Sequence, residues 1–171
     1  FVNANEVAAY VSIDVNPSIE LGINRKAKVL EATGINQQGR ELLESVGDLT
    51  GMHVEEAAKK IFQSTMMTDL IQPYIEDGGG NVVISSTLVA DDLDNFDEAA
   101  IAENMANEIQ ELFGDEESGF AGTVAVANLY TPKELREEAR KHGVSAGKMA
   151  IRLLSIEQGH KLEWEELQQK A

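Results

Sequence analysis

Residues 7–15 alternate. Val7, Ala9, Val11, Ile13 and Val15 fall on one side of an extended chain, and Ala8, Tyr10, Ser12 and Asp14 on the other. A period of two predicts a half-buried strand. Ser18 to Asn24 alternates again with Ile19, Leu21 and Ile23 inward, and Asn24-Arg25-Lys26-Ala27 reads as a turn into a third strand, Lys28 to Thr33. These three strands form an antiparallel meander with Asn16-Pro17 at its first corner. The period then lengthens. Asn36 to Val46 reads as a short helix, and Met52-His53-Val54 leads into a longer one with Ala57, Ala58, Ile61, Phe62, Met66 and Leu70 as its stripe. Asp77-Gly78-Gly79-Gly80 is a flexible connector to Asn81–Val89, a β-rich run expected in the middle of the sheet.

Asn95 to Phe113 predicts a helix with Ala99, Ile101, Ala102, Met105, Ile109 and Leu112 inward, followed by a strand over Gly122–Leu129. Thr131-Pro132-Lys133-Glu134 is a helix start in which Thr131 is the N-cap, Pro132 the first helical residue and Glu134 the closure of a capping box. That helix stops near Lys141-His142-Gly143. Ser145 caps another running to about Ile156, and a last amphipathic helix, Leu162 to Gln169, carries Trp164 and Leu167. The order βββ-αα-β-α-β-ααα predicts an α+β fold. An antiparallel or mixed sheet of about five strands is packed by helices, with a C-terminal helical segment. Residues 1–130 are expected to form an α/β sandwich core carrying the corner, and residues 131–171 a helical extension packing on it.

Charge narrows the partners. Residues 131–171 hold eight Lys/Arg and seven Asp/Glu, so the net −16 of the whole chain lies in the first 130 residues, with six against 23. Such an acidic body repels phosphate backbones and anionic lipid heads, so nucleic acid is not an expected partner. The absence of cysteine from the 171 residues removes disulfide and thiolate chemistry. No run approaches the roughly 20 apolar residues of a spanning helix.

The candidate chemistry lies at Asn16-Pro17. In other Asn-X sequences the backbone nitrogen of X attacks the Asn side chain, and the residue deamidates. Proline has no N–H, which closes that route. What remains is attack by the Asn16 side-chain nitrogen on its own backbone carbonyl, which closes a succinimide and expels Pro17 as a free amine. Asn-Pro is also a common turn starter, and a turn is expected here in any case. Scission needs a fold that presses the nitrogen on the carbonyl, polarises that carbonyl and protonates the leaving nitrogen.

Other motifs carry less. Asp91, Asp92, Asp94, Asp97 and Glu98 fail the calcium-loop pattern, because Phe96 and Asp97 fall where a ligand and a glycine are needed; they read as an acidic helix start. His53, His142 and His160 are scattered singly, without zinc spacing. Ser18, His53 and Asp14 lack a nucleophile elbow. Gly78-Gly79-Gly80 lacks the Lys-Ser/Thr of a phosphate loop. Glu134 to Leu154 has a helix–turn–helix outline, better explained by two helices packing together than by DNA reading. No cofactor and no metal is expected.

Tyr10-Val11-Ser12-Ile13-Asp14-Val15-Asn16-Pro17-Ser18-Ile19-Glu20-Leu21-Gly22-Ile23-Asn24 closely resembles the signature of the extracytoplasmic domain of RsgI-type anti-sigma-I factors. The match continues through Val29–Thr33, the following helix, and Gly143-Val144-Ser145-Ala146-Gly147-Lys148. The resemblance implies the extracytoplasmic side of the membrane of a Gram-positive bacterium. It further implies an excised ectodomain whose membrane helix, cytoplasmic sigma-binding domain and sensor module are absent from this chain. It implies self-cleavage at Asn16-Pro17, with Asn16 as nucleophile, Pro17 as leaving residue, and Asp14 and Ser18 as candidates for positioning or proton transfer. Residues 1–16 would stay bound to residues 17–171 until a signal separates them and intramembrane proteolysis frees the sigma factor. No activity on other substrates is expected. The alternative is a non-cleaving binding or sensor module for a wall polymer or an exported partner.

Overall fold

The computed structural model describes residues 4–76, 80–114 and 124–157. Five strands form one sheet in the order β3-β2-β1-β4-β5: β1 is Ala9–Asp14, β2 Ser18–Ile23, β3 Val29–Gly34, β4 Asn81–Leu88 and β5 Ala125–Tyr130. The first three make the predicted antiparallel meander. β4 pairs antiparallel with β1, and β5 runs parallel to β4, so the sheet is mixed. The fold is α+β, and the predicted helix over 162–169 lies outside the described residues.

The register sorts the side chains into two unlike faces. Val11 opposes Leu21, Ile13 opposes Ile19 and Ile84, and Ala9 opposes Ile23. These residues form one core with Leu42 of α1 (Gln37–Val46), Ala57, Ala58, Ile61 and Phe62 of α2 (Val54–Gln63), Met67 and Ile71 of α3 (Thr65–Glu76), and Met105 and Ile109 of α4 (Glu98–Gly114). Each fully buried Val, Leu, Ile or Phe contributes about 1.5–3 kcal/mol before ordering costs. The opposite face carries Tyr10, Ser12 and Asp14 against Gly22, Glu20 and Ser18 on β2, and against Thr87, Ser85 and Val83 on β4.

That second face corrects the expectation of a half-buried strand. Ser12, Asp14, Ser18, Glu20, Ser85 and Thr87 are all buried, because α5 (Lys133–Lys141) and α6 (Ala146–Glu157) lie across β1 and β4. Arg136 of α5 fastens the cover. Its guanidinium makes two hydrogen bonds to the Glu20 carboxylate, at 2.9 and 2.7 Å, and stacks 3.4 Å above the Tyr10 ring. A planar fork on a carboxylate and an aromatic face is an arrangement that lysine cannot reproduce.

Two local readings are also corrected. The single long helix after His53 is two, because Ser64 adopts an extended backbone between them. Its hydroxyl donates to the Ile61 carbonyl that closes α2 and accepts from the Met67 amide in the first turn of α3. Thr131 does not cap α5; Pro132 is the N-cap and makes no side-chain capping bond. The Thr131 hydroxyl instead pairs with that of Thr87 at 2.7 Å, and its N–H reaches the Ser86 carbonyl, which prolongs the sheet beyond β5. The acidic run before α4 serves as a helix start, with Asp97 accepting from the Ala100 amide at 2.9 Å. Among the described residues, no helix is long and apolar enough to cross a membrane.

Candidate functional site

The β1–β2 hairpin is closed almost without a loop. Asp14 faces Ser18 in register. The Val15 N–H then reaches the Pro17 carbonyl at 3.1 Å, which leaves Asn16 alone at the apex. Pro17 is buried and Asn16 half-buried. The tip is held from three directions.

From one side comes Asn36, the N-cap of α1. Its Oδ1 accepts the Gly39 amide at 2.8 Å, as a capping asparagine should, and also the Ser18 amide at 3.0 Å. With the oxygen doubly engaged, the nitrogen can point only one way. Nδ2 donates to the backbone carbonyl oxygen of Asn16 at 2.9 Å. The carbonyl that precedes Pro17 is therefore held by a fixed amide donor, and such a donor stabilises negative charge building on that oxygen. The close approach of α1 requires Gly39, because a Cβ there would run into the Ser18 carbonyl oxygen.

From a second side comes Tyr74, on α3. Its hydroxyl accepts from Asn16 Nδ2 at 2.8 Å. The Asn16 carboxamide is thus tethered rather than left to water.

Beneath the hairpin lies a buried polar cluster. Asp14 Oδ1 accepts from the Ser18 hydroxyl at 2.5 Å, and Oδ2 from Ser145 at 2.6 Å and Ser12 at 3.4 Å. The Ser12 hydroxyl also meets that of Ser85. Ser145 caps α6 as predicted, accepting the Lys148 amide at 3.1 Å. Lys148 itself is 1% exposed. Burial pushes the Asp14 carboxyl above its ordinary range, against the pull of Lys148 and the three serine hydroxyls; burial likewise pushes Lys148 down, against the pull of Asp14. α6 comes this close only because residue 147 is glycine: a Cβ there would stand 2.9 Å from Asp14 Oδ2.

Of the residues singled out in the sequence, Asn16, Pro17, Asp14 and Ser18 are thus brought together at one corner, while His53 sits elsewhere, capping α2. Asn36, Tyr74, Ser12, Ser85, Ser145 and Lys148 complete the surroundings. Asn36 and Ser145 were legible as helix starts, but their second bonds were not. Among the described residues, open clefts of about 370 and 290 Å³ lie away from the corner. The first is lined by residues including Arg25, Asp92 and Phe96, the second by His53, Glu56 and Glu108 among others.

The hairpin, its buried aspartate and the serine–lysine turn of α6 all fall within residues 8–154, the span matched by the family model described as anti-sigma factor RsgI-like central domain. The chain belongs to that family. Among curated relatives, it is 32% identical to anti-sigma-I factor RsgI6 of Acetivibrio thermocellus, over 98% of this chain and 22% of that protein. It is 29% identical to anti-sigma-I factor RsgI4 of the same organism, over 96% of this chain and 30% of the relative. It is 26% identical to anti-sigma-I factor RsgI of Bacillus subtilis, over 84% of this chain and 34% of that protein. The RsgI-like domain thus spans a fifth to a third of the length of these relatives.

Proposed function

We propose that this domain cuts its own backbone between Asn16 and Pro17, and that residues 1–16 and 17–171 then stay joined through the sheet. The observation that carries the reading is the hydrogen bond from Asn36 Nδ2 to the Asn16 carbonyl oxygen, 2.9 Å long. A turn needs no such donor. A scissile carbonyl does, because attack on its carbon moves charge onto that oxygen.

In the reaction, Asn16 Nδ2 forms a bond to the Asn16 carbonyl carbon. The bond from that carbon to the Pro17 nitrogen breaks, and that nitrogen takes up a proton. The products are a C-terminal succinimide on residues 1–16 and a free secondary amine on Pro17. Asp14 and Ser18 hold the far side of the hairpin, and their short hydrogen bond beside Pro17 suits them to position the leaving residue and to pass a proton towards it. Nδ2 gives up one proton and Pro17 gains one, so the reaction is proton-neutral overall.

The wider role rests on the family. The domain lies outside the cell, on the C-terminal side of a membrane helix whose cytoplasmic end carries the sigma-binding region. A signal that draws the two pieces apart exposes a short stub ending at Asn16. Intramembrane proteolysis of that stub then frees the sigma factor. Mass spectrometry of denatured protein should find a fragment beginning at Pro17, and Asn16→Ala should leave one chain. Wild-type protein that stays whole after prolonged incubation would overturn the scission and leave a binding module with a tight corner.

A further inference from the structure

We infer that Tyr74 is a catalytic residue of the self-cleavage proposed above, with its hydroxyl acting on the attacking nitrogen. The inference rests on that reading. Tyr74 Oη accepts a hydrogen bond from Asn16 Nδ2 at 2.8 Å, so it touches the atom that must form the new bond. The residue is otherwise hard to account for. The residue is 45% exposed and lies outside the apolar core, yet its polar end is turned onto the hairpin tip 58 positions earlier in the chain.

The chemistry needs such a group. A carboxamide nitrogen is a poor nucleophile because its lone pair is delocalised into its own carbonyl, and it must lose a proton as it adds to the carbon. A hydroxyl accepting from that N–H does two things. It fixes the carboxamide's rotation about its last side-chain bond, and it withdraws the proton as the bond forms. The balance is simple. The Nδ2 proton passes to Tyr74 Oη while the phenolic proton passes to solvent water, which the exposure of Tyr74 admits. Pro17 nitrogen takes its proton from the hydrogen-bonded side of Ser18 and Asp14, restored from water. Asn36 acts on the carbonyl oxygen, Tyr74 on the nitrogen, and the serine–aspartate pair on the leaving group, so the three roles fall to the start of α1, to α3 and to the β1–β2 hairpin.

The test uses the full chain, recovered whole in denaturant, refolded by dilution and sampled into hot detergent over time. Wild type should release the Pro17 fragment; Tyr74→Phe should do so at least tenfold more slowly, with an unchanged circular dichroism spectrum. Tyr74→Leu separates the hydroxyl from the ring: if the hydroxyl acts, Phe and Leu are equally slow, and if only ring packing matters, Phe keeps the wild-type rate. A wild-type or faster rate in Tyr74→Phe overturns the inference and leaves self-cleavage standing. An uncut wild type overturns both. Should Tyr74→Phe fail to refold, difluorotyrosine at position 74 decides in its place: it keeps the shape but makes the phenol more acidic, so a cleavage rate whose pH profile moves to lower pH supports the role, whereas an unmoved profile refutes it.

Discussion

At the scale of single residues, Asn36 is the most informative side chain, because one carboxamide serves the fold with its oxygen and the corner with its nitrogen. Asn36→Asp separates the two. The aspartate still accepts from Gly39 and Ser18, so α1 stays capped. The donor to the Asn16 carbonyl, however, becomes a second acceptor facing it. Removing one oxyanion donor costs about 10²–10³ in rate, so gels of boiled protein should show scission slowed by roughly that factor in a folded chain. Asp14 supplies a second residue-level expectation, in stability. Its carboxyl is raised from 3.8 by burial, so the folded state holds that proton to higher pH than the unfolded chain does. Across the window from 3.8 up to the raised value the native state binds more protons, and stability present at low pH is lost as pH rises. Lys148, lowered from 10.5, has the opposite sign: stability is regained as pH climbs through the window below 10.5. In the Asn16→Ala background, urea midpoints should therefore fall relative to an Asp14→Asn partner as pH rises from 3.8. Parallel curves would remove the carboxyl from that account.

At the scale of elements, two glycines set how closely a helix can approach the hairpin. A Cβ at Gly147 would meet Asp14 Oδ2 at 2.9 Å and Ser85 Oγ at 3.2 Å, both packed and buried. Gly147→Ala must therefore lift the first turn of α6 from the polar face, although alanine is the better helix former by about 1 kcal/mol. A fall in the melting temperature of Gly147→Ala is expected; a rise, as helix propensity alone dictates, would mean that the contact is slack. The same elements show what the sequence could and could not tell. Alternation of Val11, Ile13, Leu21 and Ile23 revealed the apolar face because every second residue has the same chemistry. The other face misled for the same reason. Ser12, Asp14 and Ser85 look solvent-facing in any local window, and the residues that cover them, Arg136, Ser145 and Lys148, lie far along the chain, Ser145 being 131 positions from the Asp14 it bonds. Of these, Ser145 was legible only as a helix start. Asn36 was visible as the start of a helix for the same local reason, and its bond to Asn16 was not, because nothing in a sequence says where a capping residue's spare N–H points.

At the scale of the whole molecule, the position of β1 decides what a cut would do. It is the central strand, paired over six residues with β2 and over six with β4. The helical core covers it on one face and α5–α6 on the other. Scission at Asn16 would break one covalent link and leave both ladders in place, each net hydrogen bond contributing about 0.5–1.5 kcal/mol. Burial of Val11, Ile13 and Val15, all at most 3% exposed, adds to this. The pieces should co-elute from a sizing column as one species and part only in denaturant. A cut chain nevertheless differs from a whole one in a way that pairing cannot hide. Unfolding the whole chain is unimolecular, so its midpoint is independent of protein concentration. Unfolding the cut chain produces two molecules, so mass action makes its midpoint climb with concentration. Thermal melts over a hundredfold dilution series should therefore superimpose for Asn16→Ala and spread for the wild type. A spread in both would point to a separate oligomer, and a wild type whose melts also superimpose would mean that β1 is still covalently joined to the sheet it completes.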